Sequence, residues 1–162
     1  MNARFWKLSH GAAEFPFEEF LTLLERRVVC VHKDTRAKAT SASTQGEDFV
    51  NAASGDYFYL THGNQGIYLL GQFSGPANIL SSRGDGWVER DYRVIRSSKL
   101  QGAFTGEHKW WTPNDNSTFI QVPQTEFALF EQLVLKPYFG IELARYGIVY
   151  VDADRKLTIK EA

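Results

Sequence analysis

The sequence predicts an α+β domain built on a curved sheet or small β-barrel flanked by helices. Two observations carry the prediction. Short runs rich in aromatic and β-branched residues recur between turn-forming clusters, and only two stretches show helical periodicity. Length supports it: 162 residues suit a single domain, 1–162, large enough to bury a core without disulfides or metals.

Phe5-Trp6-Lys7-Leu8 reads as an aromatic opening strand with a small polar exit, Ser9-His10-Gly11. Phe17, Phe20, Leu21 and Leu24 follow i, i+3, i+4, i+7 spacing behind Pro16, which suits a first helical position. Residues 28–31 form a second apolar strand that runs into polar and basic residues, and 35–45 is the most loop-like stretch. The runs 57–61 and 67–73 are joined by His62-Gly63-Asn64-Gln65-Gly66, a hairpin signal. Residues 90–95 and 119–122 read as further strands. After Pro123, Phe127, Phe130 and Val134 mark one helix face, which is expected to end before Pro137. Residues 148–151 and 156–159 predict a closing hairpin around Asp152-Ala153-Asp154-Arg155.

Charge narrows the partners little. Lys and Arg total 18 against 19 Asp and Glu, a net −1, so an anionic ligand must be met by a local patch. Cys30 stands alone in an apolar run, which excludes an internal disulfide and favours a reducing compartment. No apolar run approaches a membrane span, and no secretory h-region opens the chain. The expectation is a cytoplasmic protein with no membrane partner.

Catalytic and cofactor signatures are missing. There is no Gly-x-x-x-x-Gly-Lys-Ser/Thr loop and no dinucleotide fingerprint. The four histidines are scattered without metal-ligand spacing, and Asp152 with Asp154 lacks the glycine and distal glutamate of a calcium loop. Ser9, His10 and Asp34 imitate a triad, but no nucleophile elbow accompanies them. The expectation is a binding module with no cofactor, no metal and no catalytic residue.

What remains is aromatic residues near basic ones, the combination that stacks bases and holds phosphates. Arg26, Arg27, Lys33, Arg36 and Lys38 cluster around Asp34, and Arg83, Arg90, Arg93, Arg96 and Lys99 form a second, acid-diluted stretch. Trp87 and Trp110-Trp111 stand in segments of Gly, Pro, Asn and Asp. Packing competes as an explanation for each tryptophan, most strongly for Trp111.

The same segments resemble the PUA-like superfamily, particularly its YTH and EVE branches. Ala3 to Ser9 looks like the first YTH strand, whose exit loop lines a base pocket, and 28–34 is similar to the second. The family places a cage tryptophan near the end of that second strand; here Val31, His32 and Lys33 occupy the region. Residues 55–71 resemble the paired central strands, 86–94 the segment where a cage tryptophan precedes a strand, and 111–123 the polar loop before the last helix. The resemblance covers about 3–136, with 137–162 an elaboration.

It implies a nucleic-acid-binding reader that captures a modified base, methylated above all, in an aromatic pocket, with DNA favoured over RNA and the base flipped from the stack. Relatives fused to McrB-like restriction motors imply a restriction-system role in which any catalysis belongs to a fused or partner motor or nuclease. The implied base contacts are Trp87, Trp6, Ser9, His10, His32, Asp34 and Trp110, and the phosphate contacts are Lys33, Arg36, Arg90 and Arg93. Two alternatives stay open: an ASCH-like nucleic-acid-processing enzyme centred on Lys33-Asp34 or His10, and a protein-interaction module using the Trp-rich loop.

Overall fold

In a computed structural model the structure describes residues 3–38 and 41–148, with the backbone of 150–151 and 157–158. Its frame is a strongly curled six-stranded sheet. The strands are β1 (Phe5–Ser9), β2 (Val28–His32), β3 (Tyr57–Thr61), β4 (Ile67–Phe73), β5 (Trp87–Ser97) and β6 (Phe119–Gln121), in the order β2-β5-β4-β3-β1-β6. β1 and β3 pair in parallel and every other neighbouring pair is antiparallel.

Alternation along the strands buries both faces. Trp6, Leu8, Phe58, Leu60, Val29 and Val31 point into the curl, where they meet Phe20, Phe49, Phe73 and Phe119. Phe5 and Tyr59 point outward beneath Phe127, Phe130, Val134 and Leu135. The ladder slips at Leu70/Gly71, where a Cβ on Gly71 would stand 2.7 Å from the Phe58 ring. A bulge at a glycine bends a strand and tightens its twist, which is how this sheet curls without breaking its core.

Helix α1 (Phe17–Arg26) buries Phe20 and Leu23. Pro16 stands one position earlier than its expected place, as the extended cap residue, and Phe17 and Leu21 are left 50% and 39% exposed. The buried stripe is therefore rotated from the predicted one. A second helix, α2 (Gln45–Asn51), begins where the sequence reads as loop. Thr44 and Glu47 form a capping box, with the Thr44 Oγ accepting from the Glu47 N–H at 3.0 Å and the Glu47 carboxylate accepting from the Thr44 N–H at 3.1 Å.

The helical region after Pro123 runs through Pro137 instead of stopping before it. It comprises a 3₁₀ turn (Gln124–Glu126), α3 (Phe127–Phe130), a π turn (Glu131–Leu135) and α4 (Lys136–Phe139). The Lys136 N–H reaches back to the Glu131 carbonyl, so the π turn resets the ladder. Pro137 then enters in the first turn of a fresh α segment, where its missing N–H is not needed. The strands β7 (Tyr150–Val151) and β8 (Leu157–Thr158) pair antiparallel as the closing hairpin predicts, while Asp152 and Asp154 lie outside the described residues.

Candidate functional site

The ends of β1 and β2 and the start of β5 converge at one mouth of the curled sheet. A cavity of about 500 Å³ opens there. Ser9, His32, Asp34, Arg36 and Trp87 all line it, together with Phe15, Asn116 and Thr118. Five of the expected contacts thus come together, although Ser9 and Trp87 stand 78 positions apart in the chain.

The aromatic part is built by strand register. His32 and Trp87 are partners across β2 and β5, with ring centroids 5.2 Å apart and planes at 89°. Phe15 meets Trp87 edge to face at 5.6 Å. Gly86 makes this approach feasible: its φ is +84°, and a Cβ there would lie 2.4 Å from His32 Nε2. His32 Nδ1 accepts the Asp34 N–H at 3.1 Å, which leaves the proton of the neutral ring on Nε2. α2 braces the same turn, since Gln45 Nε2 donates to the Arg36 carbonyl and its Oε1 accepts from the N–H groups of Thr118 and Phe119.

Trp87 is held by a group outside the expected set. The Arg83 guanidinium lies 4.4 Å from the indole centroid and 3.9 Å from that of Phe15. Arg83 is itself anchored by an ion pair to Glu19 and a 2.9 Å bond to the Glu14 carbonyl. This cation–π sandwich fixes the indole before any ligand arrives. Phe15 contributes through tertiary contact alone, whereas Arg83 stands four residues before Trp87 and folds back over it through the Gly84-Asp85-Gly86 turn.

Several expected contacts lie elsewhere. Arg90 is only 2% exposed and donates to the carbonyls of Phe49, Ala52 and Gly75 while stacking on Phe73. Its guanidinium holds the fold together and has no reach to a phosphate. Arg93 is exposed but bonds Gln72 and borders a separate apolar cavity with Phe5, Tyr57 and Ile95. Trp6 is 5% exposed, stacks on Phe119 at 4.4 Å and donates its indole N–H to Asp56. It is a core residue that touches the edge of a different hollow.

That hollow, about 340 Å³, also holds Trp110, whose ring carries the Lys38 ammonium at 5.3 Å. Trp110 therefore stands apart from Trp87, and Trp111 is fully buried, as packing predicts. His10 lies behind the cavity rather than in it: its ring stacks on Phe15 at 4.4 Å and Nε2 accepts the Cys30 N–H at 3.2 Å. Burial pushes its pKa down to about 3, so the ring is neutral. Cys30 is buried in β2 as expected, its thiol pushed up to about 12 by desolvation, which leaves it inert. Lys33 stays exposed in the turn after β2, its N–H on the Gly86 carbonyl.

Among the described residues no group of three or more His, Cys, Asp or Glu side chains is placed to hold a metal, and no helix is long and apolar enough to cross a membrane. No known protein-family profile matches the chain, and neither does any curated protein.

Proposed function

We propose that this cavity receives one modified base of a nucleic acid, and that the chain is a reader of the PUA-like, YTH/EVE type. The observation that supports the reading is the convergence of Trp87, His32 and Phe15 with Ser9, Asp34 and Arg36 in a single cavity of about 500 Å³. That volume lies within the ~300–1,000 Å³ of small-molecule sites.

The base stacks against Trp87, which Arg83 holds in place, and His32 and Phe15 close the aromatic side. Asp34, Ser9 and strand-end backbone groups face the base edge. Arg36 and Lys33 hold the flanking phosphates at the rim. Extruding a base costs a few kcal/mol, and each good aromatic stack returns ~1–3 kcal/mol, so more than one wall is needed. A methyl group filling apolar volume contributes only ~1–3 kcal/mol, which sets a moderate preference for the modified base.

DNA is the favoured partner, with the base flipped from a duplex or already unpaired. The biological setting we propose is a cytoplasmic, modification-dependent restriction system in which a fused or partner motor or nuclease does the chemistry. The test is a binding screen of one oligonucleotide in unmodified, N6-methyladenine and 5-methylcytosine forms, single- and double-stranded. The reading expects one modified form to bind best. Equal or absent binding across all forms contradicts it.

A further inference from the structure

We infer that the base cavity continues into a polar annex that holds the pentose of the captured nucleoside, an inference that rests on the base-binding reading above. A second hollow of about 300 Å³ adjoins the first. Ser9, Gly11, Asn116 and Thr118 line both, so the two form one groove.

The two ends differ in chemistry. The first is walled by Trp87, His32 and Phe15, whereas the annex has no aromatic and no cationic side chain on its wall. Its one carboxylate, Asp115, is held by His108 at 2.8 Å and faces Lys38 at 3.8 Å. A phosphate finds no charge partner there. The unit that suits it is neutral and bears hydroxyls, and the neutral, oxygen-rich unit bonded directly to a base is its sugar.

The annex is also rigid where it must be and free where a ligand would bind. Asn64 is pinned at both ends of its amide to the Phe104 backbone, and Asn114 to Thr112 and Gly106. Lys7, fully buried, donates at 2.8 Å to the Asp115 carbonyl and at 2.8 Å to Ser117 Oγ, clamping the residues on either side of Asn116. The side chains of Ser9, Asn116 and Thr118 make no hydrogen bond among the described residues. An amide and two hydroxyls supply both donors and acceptors for sugar oxygens.

The experiment is calorimetric titration of the protein and of Asn116→Ala with N6-methyladenine, its 2′-deoxynucleoside and its ribonucleoside, and with the matching 5-methylcytosine series. For the modification that binds, the deoxynucleoside should bind about five- to tenfold tighter than the free base, the gain of one or two neutral hydrogen bonds. Asn116→Ala should collapse that ratio toward one, and Asn116→Ser should keep part of it. A nucleoside no tighter than its base, or a ratio unchanged in Asn116→Ala, overturns the annex while leaving the base cavity standing. Failure of every free base and nucleoside to bind overturns the base reading and the annex with it.

Discussion

Single side chains decide what this cavity can hold. Trp87 is only partly buried: it packs on Arg83 and His32 at the rim and covers the edge of the small apolar cluster of Phe15, Leu23, Val28 and Cys30, away from the two main cores. Trp87→Ala should therefore leave most of the stability intact, in contrast to the ~3–5 kcal/mol lost when a core tryptophan is truncated, and thermal unfolding checks this. His10 is the opposite case. Its pKa of about 3 lies below the ordinary 6.5, so the stability linked to its neutral form is complete above pH 6.5 and is lost as pH falls toward 3. NMR of the ring should show a neutral imidazole down to the acid transition; titration near pH 6.5 would mean that the ring is not sealed behind Phe15. Lys7 is shifted the same way, lowered by burial to about 7 against the attraction of Asp115. The unfolded chain then binds the extra proton between about pH 7 and 10.5, so this group makes stability rise with pH over that window. Cys30, raised to about 12 from 9.0, opposes it above pH 9. Lys7→Met should flatten the rise in melting temperature between pH 7 and 9, and an unchanged slope would assign that rise to other groups.

At the scale of elements, the cavity is built where the ends of β1 and β2 meet the start of β5. The 32–36 turn rests on α2, whose capping box is worth about 1 kcal/mol at the Thr44 side chain, so Thr44→Ala should lower stability by about that amount in denaturant titration. Most strands were legible in the sequence because aromatic and β-branched runs with turn residues between them have few other solutions. α2 does not stand out from the sequence although Thr44-x-x-Glu47 is a capping-box signature, because the Ser, Thr, Ala and Gln before it read as loop. The helix runs through Pro137, beyond its expected end, because the proline rule assumes an unbroken α ladder and the π turn at Glu131–Leu135 resets it. Ser9, His32, Asp34 and Trp87 come together at one cavity because strand order brings the ends of β1 and β2 and the start of β5 side by side. Arg90 and Arg93 do not join them: a strand residue's face and partners depend on register, which was not legible in the chain. Trp6 stands apart for the same reason, Trp110 because its loop folds over a different hollow, and Arg83 stands in the basic stretch beside Trp87 without a pattern that marks its stacking role.

For the whole molecule, a net charge of −1 means that, on the proposed reading, nucleic-acid affinity must come from a few local contacts. With Arg90 internal and Arg93 beside another cavity, the proposed reading leaves Arg36 on the cavity wall and Lys33 in the neighbouring turn as the expected cations free for phosphates. The logarithm of the binding constant should then fall with the logarithm of salt at a slope of roughly −1 to −2, and Arg36→Ala should reduce it by about one while weakening modified and unmodified oligonucleotides alike. The most direct test of the central claim titrates the protein and Trp87→Ala with the best-bound modified oligonucleotide and its unmodified twin at fixed salt. The account predicts that the variant stays folded, loses ~1–3 kcal/mol of affinity for the modified form, and loses less for the unmodified one. A folded variant that binds both forms as the parent does would contradict it, and would show that the cavity at Trp87 is not where the base is held.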